Sequence, residues 1–384
     1  MFAASLLRGI RQLGTRKIYF FMMIVVPAVC SFFFLNLMHE GLPLKVPVAI
    51  VDNDQSSMSR DVTRQLNAME LIDINEHLES YHEAMEKMRS GEIFGFFHIP
   101  EDFQKDAVGS RHPTLSFYCN MTVFVPGTLS FKGFKTVAVG TAGDMVKTEL
   151  VQAGLSDNLV SPLVQPLGVD THPLNNPWTN YNYYLSNSFL PGLLALLVLT
   201  VTVFSICTEI KHGTSPKWLQ TAGGHVSVAL LGKLLPQTVV FSAVGVGLQA
   251  VLYGFLHFPL NNHAMHMIVA MILFVMACQA LAVAIVELIP NLRLSLSVCS
   301  LFGILCFSVA GFSFPVDQMY GGIGIFAYIF PIRYYFLIYI DQALNGIPIY
   351  YSRFYYVALL VFLLLPMLGL RRLRRHLENP VYVP

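Results

Sequence analysis

Charged side chains are scarce in this 384-residue chain, where Asp, Glu, Lys and Arg together make up only 12% of the residues. Soluble proteins average roughly 25% charged residues, and hydrophobic residues reach 54% here. Residues 18–38 contain no charged side chain at all. A helix of about 20 apolar residues can cross the hydrocarbon core of a bilayer. The composition therefore excludes an ordinary soluble protein and predicts a membrane protein.

Motifs for metal, phosphate and nucleic-acid binding are also missing. Five of the six cysteines lie in apolar segments, Cys119 is alone in a polar one, and no CxxC pair indicates zinc. No GxxxxGK[ST] sequence offers a phosphate-binding loop for ATP. Basic residues lie beside apolar segments, where they mark membrane topology. We expect no metal site, no cofactor bound by this chain and no nucleic-acid partner.

The apolar segments are unevenly spaced along the chain. One stands alone at residues 18–38, and the others lie within residues 185–370. These further crossings are predicted at about 185–207, 230–255, 266–288, 294–314 and 355–370. Residues 321–344 are apolar but interrupted by Pro331, which predicts two short re-entrant or interfacial helices. The pattern indicates an α-helical polytopic membrane protein with six transmembrane helices.

Residues 39–184 form the one long polar segment. Short apolar runs predict strands at 46–51, 71–74, 93–99 and 114–118, and helices are predicted at 56–68, 81–89, 100–108 and 126–154. This alternation is typical of an α/β domain with a mainly parallel sheet. Residues 155–177 are rich in Pro, Asn and Gly and predict a loop. Asp52 and Asp54 could ligate a metal, but a turn that caps the next helix is the favoured interpretation.

The distribution of charge predicts the orientation of the chain. Residues 39–184 hold 18 acidic and 10 basic residues, a net charge of −8, whereas the rest holds 5 acidic and 14 basic residues, or +9. The positive-inside rule then places both termini in the cytoplasm and the acidic α/β domain outside the membrane. Residues 1–17 predict an amphipathic helix along the cytoplasmic surface, with a frayed tail as the alternative. Residues 371–384 predict a basic cytoplasmic tail.

Charged residues and glycines inside the crossings carry further expectations. Lys233 is expected to extend to the cytoplasmic head groups, and Glu287 to form an ion pair with Arg293 at the membrane boundary. A proton relay is the less favoured alternative for Glu287. Three glycines on the third crossing would allow close helix packing: Gly245, Gly247 and Gly254.

The cytoplasmic loop at residues 208–225 carries the clearest interaction motif. Gly213 permits a sharp turn, and Thr214 or Ser215 can cap the short helix that follows. That helix is predicted to expose Trp218 and Leu219, a pair suited to a groove on a partner protein. A tryptophan that anchors the loop at the membrane interface is an equally good interpretation.

This loop resembles the corresponding segment of ABC-2 class exporter permeases that carry an extracytoplasmic domain. In that family, the segment precedes or forms the coupling helix that docks into the nucleotide-binding subunit. The matching residues are Glu209, Gly213, Thr214 and Leu219. A second block is similar to the family's Gly…Phe-Pro…Met-Pro pattern on the exit side of the membrane, and consists here of Gly311, Phe314, Pro315, Met319 and Pro331.

The resemblance implies a permease subunit of an ATP-driven exporter in a bacterial inner membrane, moving a drug-like or lipid-like substrate outward. It implies a separate ATPase subunit that uses ATP and Mg²⁺ and docks near Trp218. It also implies a second permease copy, in a homo- or heterodimer, and a periplasmic adaptor as a further candidate partner. The alternative is a non-transporting membrane receptor or scaffold whose outer domain binds a partner. A membrane-embedded enzyme is less favoured, because no catalytic constellation converges in the crossings.

Overall fold

Contacts between residues divide the chain into two units. The computed structural model describes residues 1–42, 44–109, 111, 113–164, 172, 174–176, 180–312 and 314–381. One unit is formed by Glu40–Pro173, and the other by Met1–His39 together with Leu174–Pro384. The first unit therefore corresponds closely to the polar segment of the sequence, and the second contains the apolar segments.

The chain begins with two helices that meet at Arg16. Helix α1 (Phe2–Thr15) ends where Arg16 adopts an extended backbone conformation. Helix α2 (Lys17–Leu37) is long and apolar enough to span a membrane. It contains a π-helical turn at Phe21–Val25, just before Pro27. Because proline lacks the N–H that an α-helix requires, the ladder of hydrogen bonds is interrupted here, and the wider turn accommodates the break.

The α/β unit follows the alternation that the sequence predicts. Its elements are β1 (Val46–Asp52), α3 (Ser57–Asn67), β2 (Ile72–Leu78), α4 (Tyr81–Ser90), β3 (Gly95–Ile99), α5 (Phe103–Val108), β4 (Ser116–Cys119), α6 (Phe124–Gln152) and α7 (Asp157–Val164). The strand order is β2-β1-β3-β4. Strand β1 pairs in parallel with β2 and β3, and β4 pairs antiparallel with β3. The predicted α/β fold with a mainly parallel sheet is confirmed.

Strand β1 is central because it is apolar on both faces. Val48 and Ile50 pack into one hydrophobic core, while Ala49 and Val51 pack into another. Side chains alternate between the two faces of a strand, so a strand covered on both sides needs a continuous apolar run. Helix α3 covers the first face and α4 the second, as right-handed connections to strands on opposite sides of β1 require.

The Asp52 and Asp54 carboxylates organise the turn after β1. One Asp52 oxygen accepts hydrogen bonds from the N–H groups of Asp54 (3.1 Å) and Gln55 (3.0 Å), and the other accepts from the Ser59 hydroxyl (2.7 Å). Asp54 accepts from the Gln104 N–H at 3.1 Å. Both acids therefore have the turn-forming and capping role that was favoured for them.

The predicted loop at residues 155–177 is partly helical, so that prediction is wrong for its first part. Helix α7 forms at Asp157–Val164 despite Pro162. It packs against α6 and buries Val160 completely. The apolar residues 159, 160, 163 and 164 recur at helical spacing, a signal masked by the Pro-rich and Asn-rich composition. Residues 165–171, 173 and 177 lie outside the described residues.

The helical unit continues with α8 (Tyr181–Lys211), α9 (Ser215–Thr221), α10 (Val226–Phe255), α11 (Ala264–Leu288), α12 (Leu292–Val309), α13 (Gly321–Ala327), α14 (Pro331–Leu344), α15 (Ile349–Phe362) and α16 (Leu365–Glu378). Within the described residues, six stretches are long and apolar enough to cross a membrane, the last being α15 and α16 together. Helices α13 and α14 bend by 79° relative to each other, which agrees with the two short helices predicted at 321–344. If the two helices are counted together as one span, the described residues contain seven candidate membrane spans.

Two of these helices form the centre of the unit. We compared the most apolar 18-residue stretch of each span. In these stretches, 72% of α8 and 67% of α11 is buried inside the protein, against 17–22% for the other four spans. Of the three glycines predicted to permit close packing, Gly245 does so, because a Cβ there would lie 2.7 Å from the sulfur of Met271. Gly247 and Gly254 face open space instead. The outer spans thus leave large apolar faces for lipid or for another protein.

Substitution of Phe97 tests the assigned core of the α/β unit. It is fully buried, with ring centroids 4.9 Å from those of Phe117 and Phe134. Phe97→Ala should lower the free energy of unfolding of this unit by about 3–5 kcal/mol, because it leaves a cavity. Pulse proteolysis of the purified protein in increasing urea measures this loss. The control Phe124→Ala alters a side chain that is 73% exposed, and an equal loss in both variants would contradict the assigned core.

Candidate functional site

Helix α9 begins directly after a sharp turn that ends α8. Gly213 has a positive φ of 64°, a conformation that glycine adopts without steric cost. The Thr214 N–H donates to the Glu209 carbonyl oxygen at 2.9 Å and closes the turn. Thr214 occupies the N-cap position of α9, but its hydroxyl makes no capping bond to the helix. It donates to the Glu209 carboxylate instead.

Trp218 and Leu219 point into the protein, so the prediction that they are exposed is wrong. They are only 1% and 5% exposed and pack in a hydrophobic cluster with side chains of α8, α10, α11 and α16. Both interpretations of the loop treated α9 as a helix lying alone at a surface. Several helices in fact surround its apolar face, which leaves Lys217 and Gln220 exposed on the opposite face.

A buried carboxylate lies beside α9. We define the Glu209 cluster as Arg8, Gln12, Glu209, Thr214 and Lys233. One Glu209 oxygen accepts from Lys233 Nζ at 2.7 Å and from Gln12 Nε2 at 3.2 Å. The other accepts from an Arg8 guanidinium nitrogen at 2.9 Å and from the Thr214 hydroxyl. The cluster therefore joins α1, α8 and α10 at the start of α9.

Lys233 takes part in this cluster and does not extend to the head groups as predicted. Its side chain is only 3% exposed, the same as that of Glu209. Its Nζ also lies 4.6 Å from the ring centroid of Trp218, where the face of the indole attracts a cation. Lys233 turns inward because the Glu209 carboxylate and this ring offer it partners that lipid cannot. The Lys233 ammonium group thus contacts both the Glu209 carboxylate and the buried Trp218 ring.

Burial makes the Glu209 cluster sensitive to the loss of any one partner. Removing two charges from water costs several kcal/mol per ion, which only good geometry and additional hydrogen bonds offset. Glu209 meets that condition with four donors on its two oxygens. Such pairs can fix the relative positions of helices even where they add little net stability.

A close backbone contact holds α1 against α10. A Cβ on Gly9 would lie 2.5 Å from the Gly232 carbonyl oxygen, and a Cβ on Gly232 would overlap with Ser5. Pro236, four residues after Gly232, has no N–H to donate to that oxygen. The two helices can therefore approach only because both positions are glycine. This contact sets Arg8 and Gln12 beside Glu209.

The C-terminal helix also contacts α9. The Ser215 hydroxyl donates to the Leu377 carbonyl oxygen at 2.9 Å, and the side chains of Leu373 and Leu377 are fully buried. The predicted basic tail at 371–384 is therefore helical as far as Glu378. Its leucines at i and i+4 pack inward while its arginines face outward. Residues 382–384 lie outside the described residues.

Glu287 does not form the predicted ion pair with Arg293. It is 3% exposed, and its Oε1 atom has no hydrogen-bond partner among the described residues. The carboxylate lies against Gly369 of α16, where a Cβ would collide with it, whereas the Arg293 side chain is exposed. Packing against α16 therefore determines which way the Glu287 side chain points.

The second predicted block lies after α12. Gly311 has a φ of +99°, which lets the chain turn sharply. The neighbouring carbonyl groups are bonded to other helices: Arg333 donates to the Ala310 oxygen (3.3 Å), and the Tyr184 hydroxyl donates to the Phe312 oxygen (2.6 Å). This turn is thereby fixed to α14 and α8.

The remaining members of that block are not brought together at one surface. Phe314 and Pro315 are exposed, Met319 is half-buried, and Pro331 is buried at the start of α14. Gly311 and Pro331 thus have structural roles in a turn and a helix start. Phe314 and Pro315 are the members of the block with exposed side chains.

Among the described residues, no group of three or more His, Cys, Asp or Glu side chains could hold a metal ion. The architecture is that of a multi-pass helical membrane protein with a small α/β unit between its first and second spans. A family model described as "ABC-2 family transporter protein" matches residues 17–369. The chain belongs to the ABC-2 family of transporter proteins.

One curated relative is similar over part of the chain. A segment of 98 residues is 32% identical to the linearmycin resistance permease protein LnrN of Bacillus subtilis (strain 168). The match covers 26% of this chain and 25% of that protein, so the chain spans about a quarter of the relative's length. No solved structure matches the chain at a significant level. Membership of a transporter family favours a transporter over a receptor, a scaffold or an enzyme.

Sequence reasoning missed Arg8, Gln12 and Gly9 as parts of this site. A signal was present, since a lysine inside an apolar run is costly in a membrane and predicts a partner. Only Glu209 and Glu287 supply carboxylates at the ends of neighbouring crossings. Choosing between them requires knowing which helices are adjacent.

Glu209→Gln tests the buried cluster. The variant leaves Lys233 charged and buried without a counter-ion, which should lower the free energy of unfolding by about 3–5 kcal/mol. Adding Lys233→Met should restore at least half of that loss, because the uncompensated charge is removed. Thermal unfolding of the purified protein measures both changes.

Glu378→Gln is the matched control, since it breaks an ion pair with Arg374 whose side chains are 43% and 57% exposed. Exposed pairs contribute about 0–1 kcal/mol. The assignment is wrong if Glu209→Gln costs no more than this control, or if the double variant is less stable than Glu209→Gln alone.

Proposed function

We propose that this chain is half of an ATP-driven exporter that moves an amphipathic or apolar cargo outward across a bacterial inner membrane. The observation that carries the proposal is the attachment of α9 to α8, α10, α11 and α16 through buried side chains. A short helix held in this way transmits a force applied to its outer face to the spans behind it. The name of the relative LnrN, a resistance permease, is consistent with a drug-like cargo.

A separate ATPase subunit supplies the force and uses ATP and Mg²⁺ in its own site. It contacts the exposed face of α9, which carries Lys217 and Gln220, together with the preceding turn at Gly213. Glu209, Thr214, Trp218 and Leu219 contribute from inside, because they attach α9 to the spans. The role first expected for Trp218, direct insertion into the partner, does not fit its burial.

Helix α8 carries the movement across the membrane. It is continuous from Tyr181 to Lys211 and is the most buried of the spans. Glu209 lies at the end next to α9, and Tyr184 at the other end bonds to the turn after α12. Displacement of α9 therefore tilts α8 and shifts the Gly311 turn, where the exposed Phe314 and Pro315 contribute to the exit.

A second permease copy completes the translocation unit, as a homo- or heterodimer. The four outer spans are only 17–22% buried within one chain, which leaves apolar faces to line a path between two copies. The charged side chains Glu209 and Lys233 are paired and add little net charge to such a path. An apolar or amphipathic cargo suits these surfaces, and the α/β unit gates the exit or meets a periplasmic adaptor.

Lys217→Glu tests the docking of the ATPase. Reversing an exposed charge on α9 should lower the ATPase activity of the co-purified complex about tenfold or more, since close charge pairs across interfaces contribute about 1.5–7 kcal/mol. The thermal stability of the permease should not change. Trp218→Ala should lower activity and stability together, because it empties a buried site.

Lys135→Glu makes the same charge change on the exposed surface of the α/β unit and serves as the control. Equal ATPase activity in the Lys217→Glu and Lys135→Glu complexes would rule out docking at α9. Failure of any ATPase to co-purify with the wild-type chain would contradict the ATP-driven mechanism.

Labelling of introduced cysteines tests the orientation of the chain. In intact spheroplasts, a membrane-impermeant maleimide should label Arg60→Cys in the α/β unit and leave His376→Cys unlabelled until the cells are opened. Cys119 is replaced by Ser in both variants. Burial raises the pKa of its thiol, which makes it a slow but unwanted target because the thiolate is the reactive form. Equal labelling of positions 60 and 376 would refute the topology.

A further inference from the structure

An apolar groove of about 590 Å³ lies between α1, α2 and α10. Helix α1 contributes Ile10 and Leu13, α2 contributes Met23 and Ile24, and α10 contributes Pro236 and Val239. The volume falls within the range of about 300–1,000 Å³ that is usual for small-molecule sites. Apart from Tyr19, every side chain that lines it is a hydrocarbon or a thioether. The lining fits a hydrocarbon chain and offers little to a polar ligand.

The walls of the groove are fixed by contacts outside it. The Gly9–Gly232 contact holds α1 against α10, and Arg8 of α1 and Lys233 of α10 both bind the Glu209 carboxylate of α8. The extended Arg16 turns the chain from α1 into α2, and the π-helical turn at Phe21–Val25 lies in the wall that α2 forms. The groove is therefore preformed, and a ligand need not order it.

Positive charge surrounds the end of the groove where α1 meets α2. Arg11, Arg16 and Lys17 are exposed, and no acidic residue precedes Glu40. Within the described residues, none of the three makes an ion pair, whereas Arg8 is engaged by Glu209. Each Lys or Arg near an anionic membrane surface contributes about 1 kcal/mol of attraction. This rim selects an anionic group next to an apolar chain.

Tyr19 forms part of the inner wall of the groove. It is 2% exposed and lines the groove. Its hydroxyl lies near Arg16 but has no hydrogen-bond partner of normal geometry among the described residues. Its ring packs edge-on against Phe204 of α8, with 6.0 Å between the ring centroids, so the core of the helical unit supports this wall of the groove.

We propose that this groove binds one anionic phospholipid from the leaflet in which α1 lies. An acyl chain occupies the space between α1, α2 and α10, and the phosphate lies among Arg11, Arg16 and Lys17. The site requires only that the helical unit is in a membrane, so it does not depend on the proposed direction of transport or on the cargo.

Native mass spectrometry of the purified protein with phosphatidylglycerol or phosphatidylcholine tests the site. The wild-type protein should retain one phosphatidylglycerol after other lipids are stripped, and should not retain phosphatidylcholine. Arg11→Gln, Arg16→Gln and Lys17→Gln combined should weaken retention about 100-fold, at roughly fivefold for each charge. The control combines Arg293→Gln, Arg371→Gln and Arg375→Gln, which remove three exposed charges elsewhere and should change retention less than twofold.

A second variant fills the groove without changing any charge. Gly14 lines the groove, and a Cβ there has no neighbour within 4 Å, so Gly14→Trp can direct its ring into the space. We expect this variant to lose the bound phosphatidylglycerol while its thermal stability in detergent is maintained. Gly254→Trp is the matched control, because a Cβ at Gly254 is also free of neighbours.

Three results would overturn the proposal. The first is equal retention of phosphatidylglycerol and phosphatidylcholine by the wild-type protein. The second is retention by Gly14→Trp that matches that of Gly254→Trp. The third is efficient cross-linking between two copies through Val239→Cys in the membrane, since it would show that a second copy covers the groove. Loss of ATPase activity with retained lipid would bear on the proposed function alone.

Discussion

A buried carboxylate on the last turn of α8 is the interaction on which the helical unit depends. Glu209 is removed from water together with Lys233, and four donors from two helices and one turn surround its oxygens. Each partner is needed because the charge cannot be solvated in any other way at that depth. The helices α1, α8 and α10 therefore cannot separate independently, and α9 starts from a fixed point.

This constraint explains why the inner surface of α9 is apolar and the outer one polar. Trp218 fills the space beneath Lys233, Ser215 bonds to the end of α16, and Lys217 is left outside. A rigidly attached helix suits the transmission of force better than a flexible loop would. The same docking of α1 on α10 leaves the groove behind Arg16, so one set of contacts shapes both the partner surface and the proposed lipid site.

The α/β unit is held together by a hydrophobic core and by local capping bonds. Its central strand is buried on both faces, and its turns are closed by short polar side chains such as Asp52 and Ser56. The capping bonds join neighbours a few residues apart, and the strands that flank β1 follow it within residues 72–99. The unit is therefore a self-contained fold between the first two spans, consistent with a role that varies independently of the membrane helices.

The sequence by itself determined the six apolar spans, the alternation of strands and helices, the turn at Asp52 and the sharp bend at Gly213. Each depends on local hydrophobicity, periodicity or backbone freedom. The tertiary structure decided the burial of Trp218, the pairing of Lys233 with Glu209, the direction of Glu287 and the close contact between Gly9 and Gly232. These depend on which helices are neighbours. Hydrophobic periodicity shows that a face is buried, but not which partner covers it, because many helices offer an equally apolar surface.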